Sequence, residues 1–429
     1  MTTNDADATT PAPGGRAAII EPGVGYLKGL RELPRHLTLK SISAGTVASI
    51  FGCSGPALIV IGAAEAGGLT GSQTVSWLFA IYFLGGLISL VLAPFYMQPV
   101  VGAYSIPGAA ILVGALTAFD FNQAVGAFIM AGVLVLLLGL SGVIGRVMRW
   151  LPMPIVMAMI AGALIRFGTG VVTAVGTAPL IVGAAVIAFF VVMRFVKAFP
   201  PVLAALIVGV AVAALTGSIQ TASIDIAFAA PTFTVPTFTL DAFLAISVPL
   251  AILVIGAENA QATGVLMVEG YRPPINAMTV ISGVGGILAG LLGGHNANIA
   301  GPMTAICSSE QAGEDKGGRY AAAVVNGVLF AAFGIVAGYA VPIILALPRP
   351  LIGAVAGLAM IGVLLTAFQQ AFSAERGHQF GAFVALIVAM SDMKLLSISA
   401  PFWALLLGVL ASWLADRVEV RRATTVAGT

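Results

Sequence analysis

Polar side chains interrupt one of the apolar stretches that make up most of this sequence. Glu258 lies in the middle of one stretch and is followed by Asn259 and Gln261. An ionisable residue at the centre of a long apolar segment is costly, so it marks a functional site by default. Burial disfavours the charged form of a carboxyl group, and we therefore predict that Glu258 carries a proton. The alternative is a Glu258 that only hydrogen-bonds its polar neighbours.

Prolines follow polar residues in two further runs that are too short to cross a bilayer. Ser105 comes two positions before Pro107, and Gly301 directly precedes Pro302. Proline suits the first turn of a helix, and about ten residues cannot span the hydrocarbon core. We predict a short extended strand followed by a half-helix at both places, with a simple proline kink as the alternative. Helix N-termini favour anions because their N–H groups are unpaired and the dipole is positive there.

The two half-helices are predicted to point their N-termini at one substrate. The predicted substrate-binding residues surround the two prolines or share the Glu258 segment: Tyr104, Ser105, Pro107, Gly108, Asn259, Gln261, Asn296, Asn298, Pro302 and Thr304. Glu258 and His295 are assigned to proton coupling, with helix-end capping as the alternative for His295. Arg166, within another apolar run, is assigned a structural role. No metal-ligand spacing, nucleophile–base pair or nucleotide loop stands out, so we predict no enzyme, no metal and no cofactor.

Composition requires a membrane around this site. Hydrophobic residues make up 59% of the chain and charged residues 8%, against about 45–50% and about 25% in soluble domains. The 52 glycines suit helices that pack closely in lipid. Cys53 and Cys307 lie in apolar runs and indicate no disulfide. We predict an all-α polytopic membrane protein whose surroundings are the lipid bilayer and not a nucleic acid.

Fourteen apolar segments follow one another along the chain, with twelve or thirteen as the alternative because the thirteenth is short. With a cytoplasmic N-terminus, the basic residues collect on one side, and only Arg349 and Lys394 map outside. This bias follows the positive-inside rule and predicts that both termini are cytoplasmic. The segments lie near 41–66, 72–94, 98–118, 122–144, 153–172, 177–197, 200–217, 240–268, 274–293, 295–310, 319–343, 348–371, 378–391 and 396–415.

Two motifs recur at nearly the same spacing. Leu151-Pro152-Met153-Pro154 is matched by Leu347-Pro348-Arg349-Pro350, 196 positions later. The Ser105-Ile106-Pro107 motif is matched 195 positions later by Ala300-Gly301-Pro302. Each copy is seven segments from its partner, an odd number, so the copies cross the membrane in opposite directions. We predict a 7+7 inverted repeat, which is typical of secondary transporters; chance similarity between Ala/Gly-rich segments is the alternative.

The residues around both half-helices resemble the benzoate–proton symporter family. The resemblance covers nearly the whole chain after residue 38 and rests on these motifs: Pro99-Val100 with Tyr104 to Ala110, Ala161-Gly162 with Arg166 to Gly168, Gly270 to Pro274, Ala305-Ile306-Cys307, Glu310-Gln311-Ala312, and Asp315-Lys316 with Arg319. It implies an aromatic carboxylate substrate, proton coupling and the bacterial inner membrane. It also implies the architecture of the uracil–proton symporter superfamily, whose members commonly form homodimers.

That architecture divides the chain into a core domain and a gate domain. The resemblance implies a core of residues 38–144 (segments 1–4) and 238–345 (segments 8–11). It implies a gate of residues 145–218 (segments 5–7) and 346–416 (segments 12–14). Cytoplasmic tails are expected at residues 1–37 and 417–429.

One position departs from the family pattern. The benzoate family usually has Ser-Gln-Asn where this chain has Ala257-Glu258-Asn259, and an acid there is similar to the nucleobase branch of the superfamily. The sequence favours proton-coupled uptake of benzoate, or a related small aromatic or organic acid, by alternating access. Two alternatives stay open: a nucleobase (uracil- or xanthine-like)–proton symporter of the same fold, and an uncoupled anion channel.

Overall fold

A computed structural model describes most of the chain. The described residues are 20–53, 55–142, 152–196, 199, 201–219, 231–373, 377–391, 393–395 and 398–416. Three predicted regions lie outside them: the first 19 residues of the N-terminal tail, the C-terminal tail 417–429, and residues 143–151, where the predicted core passes into the predicted gate.

The first half of the chain forms helices with one short strand at the third predicted segment. α2 and α3 lie within a single apolar span, Leu39–Ala66. The elements are α1 (Tyr26–His36), α2 (Leu39–Cys53), α3 (Gly55–Ala66), α4 (Gly71–Tyr96), β1 (Gly102–Ala103), α5 (Ile106–Ala115), α6 (Phe121–Ser141), α7 (Met153–Thr177), α8 (Pro179–Phe195) and α9 (Pro201–Leu215).

The second half repeats this order and ends with a short strand pair. Its first helix, α10 (240–268), contains two π-helical stretches, Phe243–Ser247 and Leu253–Asn259. The other elements are α11 (Ile275–Leu291), β2 (Asn298–Ile299), α12 (Gly301–Ser308), 3₁₀ turns at Glu310–Ala312 and Lys316–Gly318, α13 (Tyr320–Leu345), α14 (Arg349–Ala371), α15 (Gln379–Met390), β3 (Lys394–Leu395), β4 (Ile398–Ser399) and α16 (Ala400–Ala415).

The described helices make this an all-helical multi-span membrane protein. Seven of them are long and apolar enough to cross a membrane, and six more apolar helices have 10–17 residues. Each of the fourteen predicted segments coincides with one of these helices or, for the tenth, with β2 and α12. The helix α1 was not predicted, because it lies within residues 1–37, which were expected to form a cytoplasmic tail.

Two groups of helices pack among themselves. In the first group α4 and α2 pack on α13, and α6 packs on α11. In the second group α7 packs on α14 and α15, α8 on α9, and α15 on α16. Glycines lie at close contacts between these helices: a Cβ at Gly283 would overlap the backbone of Leu136, and one at Gly86 would lie 2.6 Å from the backbone N of Ala331. Small residues therefore set the helix separations in the first group.

The strands β1 and β2 link the two halves of the chain through backbone pairing. They pair antiparallel, with Gly102 opposite Ile299 and Ala103 opposite Asn298. On the outer edge of each strand, a backbone N–H donates a hydrogen bond to a serine hydroxyl. The Gly102 N–H donates to Ser89 Oγ at 2.7 Å, and the Ile299 N–H donates to Ser282 Oγ at 3.2 Å. Non-helical backbone is tolerated at membrane depth only when it is satisfied inside the protein, and these serines provide that satisfaction.

Candidate substrate site

Each strand leads directly into a half-helix whose first turn contains a proline. In α5, Ser105 is the N-cap, and its Oγ accepts the Gly108 N–H at 3.0 Å. In α12, Pro302 follows Gly301, the first helical residue. Both N-termini are buried, and the strand pair between them brings them close to α10.

Glu258 lies at the point where the two half-helices begin. Its side chain is 4% exposed, and its Oε2 accepts the Gly301 N–H at 3.3 Å. The Ile106 N–H and the Ser105 hydroxyl also face this carboxyl group. The first N–H of each half-helix therefore points at one carboxyl group, which belongs to the protein itself. Glu258 is in the second π-helical stretch of α10, a feature often found at functional sites.

A cavity of about 310 Å³ adjoins Glu258, at the lower end of the roughly 300–1,000 Å³ usual for ligand pockets. One wall comes from α2, α10 and the half-helices α5 and α12, and the other comes from α7 and α14. The lining is mainly apolar: Phe51, Ile106, Pro107, Met157, Ile160, Ala257, Glu258, Gln261, Pro302, Gly362, Thr366, Ala367 and Gln370.

Four of the predicted site residues line this cavity. Pro107 and Pro302 contribute the half-helix ends, and Glu258 and Gln261 contribute the polar groups of α10. Gln261 also packs against α12, because a Cβ at Gly301 would lie 2.5 Å from Gln261 Oε1 and 2.7 Å from its Cβ. The structure brings these four residues together around one cavity.

Three other predicted binding residues connect the strands and half-helices to one another behind the cavity wall. The Ser105 N–H donates to Asn296 Oδ1 at 3.0 Å, and the Val101 N–H donates to Thr304 Oγ1 at 3.2 Å. The Tyr104 hydroxyl hydrogen-bonds the Tyr82 hydroxyl at 2.9 Å. These side chains are buried, and their contacts are with the protein's own backbone and side chains.

Three more predicted binding residues face neighbouring elements. Asn259 Oδ1 accepts the Ser282 hydroxyl of α11 at 3.2 Å. Asn298 donates from Nδ2 to the Ile299 carbonyl at 2.9 Å. Gly108 packs against α10, where an added Cβ would lie 2.7 Å from Leu250 Cδ1. None of the three is among the residues that line the cavity.

His295 is fixed by both of its ring nitrogens. Trp77 donates from Nε1 to Nδ1 of His295 at 2.9 Å, and Nε2 lies 2.9 Å from the Ser105 carbonyl oxygen. The indole N–H can only donate, so Nδ1 is an acceptor and Nε2 carries the hydrogen. This arrangement suits a neutral imidazole that ties the segment before β2 to the N-cap of α5.

The cavity also contains polar residues that the sequence analysis did not select. Thr366 and Gln370 of α14 both line it, and residues four apart lie on the same helix face. The sequence signal that could have identified them is a pair of polar residues four positions apart inside an apolar segment. Arg166 of α7 lies elsewhere, against α5, where a Cβ at Gly114 would be 3.3 Å from its Nη2.

Residues 35–414 match the family described as BenE, benzoate membrane transport protein. The chain belongs to the benzoate membrane transport protein family. It is 29% identical over 382 residues to a benzoate membrane transport protein of Acinetobacter baylyi, covering 89% of this chain and 96% of that protein. It is 30% identical over 384 residues to the inner membrane protein YdcO of Escherichia coli, covering 88% and 97%. The suspected family is confirmed, and the chain is a transporter.

The fold is similar to that of solved membrane transporters, including a bicarbonate transporter and the murine Slc26a9 anion transporter. The transmembrane domain of the cyanobacterial bicarbonate transporter BicA aligns with a TM-score of 0.59 and 16% identity, covering 88% of this chain and 97% of that chain. SLC26A9 aligns with a TM-score of 0.60 and 15% identity, covering 90% and 67%. At these identities the likeness concerns the fold, and it confirms an all-helical multi-span membrane protein.

In this member of the benzoate membrane transport protein family, His295→Phe is expected to lower uptake and thermal stability together. The change leaves the buried Trp77 N–H without a partner, at roughly 1–3 kcal/mol. It also removes one of the two contacts of the Ser105 carbonyl, which keeps the Ala109 N–H at 2.9 Å. Uptake in proteoliposomes and the apparent melting temperature in detergent measure the two effects. The pH-gradient dependence of the residual uptake is expected to be unchanged; a variant of normal stability that loses only this dependence would contradict the structural role.

Gly301→Ala is expected to lower stability by about 1–3 kcal/mol, the usual cost of overpacking a tight contact, and to weaken substrate binding because it displaces a half-helix end that lines the cavity. The added Cβ would meet Gln261 at 2.5–2.7 Å and push α12 away from α10. Gly353→Ala in α14 is the matched control, because nothing lies within 4 Å of its Cβ position. Equal affinities for the two variants, measured by scintillation proximity with labelled benzoate, would show that this contact does not matter.

Proposed function

We propose that this protein takes up benzoate or a related small aromatic acid together with a proton. The observation that carries the proposal is the position of Glu258, whose carboxyl group faces the first N–H of both half-helices. The cavity beside it has the small volume and the apolar lining that suit an aromatic ring. Family membership supports benzoate as the first substrate to test.

Competition between the Glu258 carboxylate and the substrate carboxylate would couple proton binding to substrate transport. An ionised Glu258 and a substrate anion would seek the same N–H donors. Two unit charges about 4 Å apart repel by roughly 4 kcal/mol at an effective dielectric constant of about 20. Protonation of Glu258 removes this repulsion, so proton binding and anion binding favour each other reciprocally. The pair then crosses the membrane without net charge.

The packing pattern supports a 7+7 inverted repeat. In such a repeat α4 corresponds to α11, and α6 corresponds to α13. The contact of α4 with α13 should therefore have a counterpart between α11 and α6, and both contacts are present. The contacts of α8 with α9 and of α15 with α16 are related in the same way. Ser89 and Ser282, which satisfy β1 and β2, also occupy corresponding helices. Alternating access would come from rocking the core (segments 1–4 and 8–11) against the gate (segments 5–7 and 12–14).

In the inner membrane, with both termini in the cytoplasm, the structure would correspond to an inward-facing state. The cavity extends along the second half of α14, where Gly362 and Thr366 are exposed. In the proposed topology this half of α14 is cytoplasmic. On the opposite side, Arg166 of the gate helix α7 lies against Gly114 of α5, which would close the external route.

Uptake of labelled benzoate into proteoliposomes, with and without an inwardly directed proton gradient, tests the proposal. We expect accumulation only with the gradient, and displacement of the label by substituted benzoates. Gradient-driven uptake of labelled uracil or xanthine, with no uptake of benzoate, would support a nucleobase–proton symporter instead. Benzoate flux that never exceeds equilibrium, whatever the gradient, would support an uncoupled anion channel.

A further inference from the structure

The helix α1 combines exposed apolar and basic side chains immediately before the first span. Leu27 is 71% exposed and Leu30 is 39% exposed. With about 100° of turn per residue, these two leucines and Pro34 share one face of the helix, and Arg31 and Arg35 lie at its edge. Apolar side chains bordered by basic ones are typical of helices that lie in a membrane interface.

The opposite face of α1 is attached to the first group of helices. Gly29 is buried, and a Cβ there would overlap the backbone of Pro94 in α4. The Tyr320 hydroxyl of α13 donates to the Gly29 carbonyl at 2.7 Å. The preceding segment is held as well, because the Glu21 carboxylate accepts the N–H groups of Asn276 and Ala277 at 2.8 and 2.9 Å. These contacts determine the orientation of α1. The face of α1 that contains Leu27 and Leu30 points away from the helix bundle.

The position of α1 along the chain keeps it at the membrane surface. It ends at His36, and the first span begins at Leu39. Three residue steps reach at most roughly 10 Å, so the last turn of α1 lies within the depth of the lipid headgroups. Among the charged residues of α1, Lys28, Arg31 and Arg35 are basic and Glu32 is the one acid. The Glu32–Arg35 pair at 3.2 Å is exposed, and such pairs are weak.

We propose that the outer face of α1 binds anionic phospholipid headgroups of the adjacent leaflet. Leu27 and Leu30 enter the boundary between headgroups and acyl chains, and Arg31 and Arg35 pair with the phosphate groups. The occupant is lipid because the face continues directly into a bilayer span and has the charge opposite to an anionic leaflet. This surface is separate from the cavity at Glu258 and does not depend on the identity of the substrate.

The test uses the full-length protein with a fluorescent label on Leu27→Cys. It is reconstituted into nanodiscs of phosphatidylcholine with rising fractions of phosphatidylglycerol, and both lipids carry brominated acyl chains so that the bromine density stays constant. The parent chain, whose Cys53 is half-buried and Cys307 buried, gives the labelling background. We expect the bromines to quench the label, and quenching to rise with the phosphatidylglycerol fraction. Each basic residue near such a surface changes binding by about fivefold, so Arg31→Gln with Arg35→Gln should shift the midpoint by about 25-fold.

Two further variants make the outcome decisive. Glu32→Gln should strengthen the dependence on phosphatidylglycerol, because it removes the acidic charge of α1. Arg349→Gln, at an exposed arginine on α14, should leave the midpoint unchanged. A label that is not quenched would overturn the insertion of Leu27. Quenching that is independent of phosphatidylglycerol, or of the arginine substitutions, would overturn the binding of anionic headgroups.

Discussion

Glu258→Gln is expected to abolish gradient-driven accumulation of substrate while preserving its exchange across the membrane. The amide oxygen can still accept the Gly301 N–H that now binds Glu258 Oε2, but the neutral side chain can neither take up nor release a proton. A pH gradient of one unit supplies about 1.4 kcal/mol per proton, or roughly tenfold accumulation. Uptake and counterflow in proteoliposomes measure the two activities, and we expect the tenfold accumulation to fall to equilibrium while counterflow continues.

The same variant gives a pH signature. In the wild-type protein, substrate affinity should fall as pH rises, because ionised Glu258 competes with the substrate anion for the half-helix N–H groups. In Glu258→Gln the affinity should not change with pH. Glu65→Gln, an acidic residue at the end of α3, is the control and should behave as wild type. Accumulation by Glu258→Gln that still follows the gradient would assign the proton to another group.

Arg319→Ala is expected to cost about 2–4 kcal/mol of stability and most of the transport activity. The arginine side chain is 2% exposed and forms three bonds. Nη1 donates to Glu269 Oε2 at 2.9 Å and to the Ser308 carbonyl at 2.7 Å, and Nε donates to the Gly313 carbonyl at 2.7 Å. Ser308 is the last residue of α12, so Arg319 holds the end of the half-helix whose beginning faces Glu258.

A neighbouring lysine provides the matched control. Lys316 donates from Nζ to the Glu269 carbonyl at 2.8 Å, but this contact is exposed, so Lys316→Gln should change stability by less than about 1 kcal/mol. Arg319→Lys should be intermediate, because a single ammonium cannot match the guanidinium geometry. The apparent melting temperature in detergent and benzoate uptake measure these effects. Full uptake by a stable Arg319→Ala variant would show that the end of α12 needs no anchor.

The neighbouring tyrosine completes this anchor from outside the spans. The Tyr271 hydroxyl donates to the Lys316 carbonyl at 2.8 Å. Burial raises the pKa of Tyr271 to about 12, so the phenol remains a donor at neutral pH. The motifs on which the family resemblance rests include or adjoin all four residues of this anchor: Glu269, Tyr271, Lys316 and Arg319. Holding the end of α12 is therefore a structural role for these motifs.

Much of the fold could be predicted from local chemistry. A span needs about 20 apolar residues, and the segments were therefore recognisable from composition and length alone. Proline in a first turn marks the start of a helix, which located α5 and α12 at Pro107 and Pro302. The helix α1 was missed, because its eleven residues contain Gly29 and Pro34, and its stability comes from packing on α4 and α13.

The sequence by itself determined the class of the protein, the positions of its apolar segments, the starts of the two half-helices and the place of Glu258 within an apolar segment, because each depends on composition or on a few adjacent residues. Only the tertiary structure decided which side chains reach the cavity. Asn296 and Thr304 were predicted to bind substrate together with Gln261, yet both accept backbone N–H groups beside the strands. Thr366 and Gln370 entered the site from a helix more than 100 residues away from Glu258. The direction of a side chain depends on π-helical turns and on which helices pack together, and long-range contacts decide both.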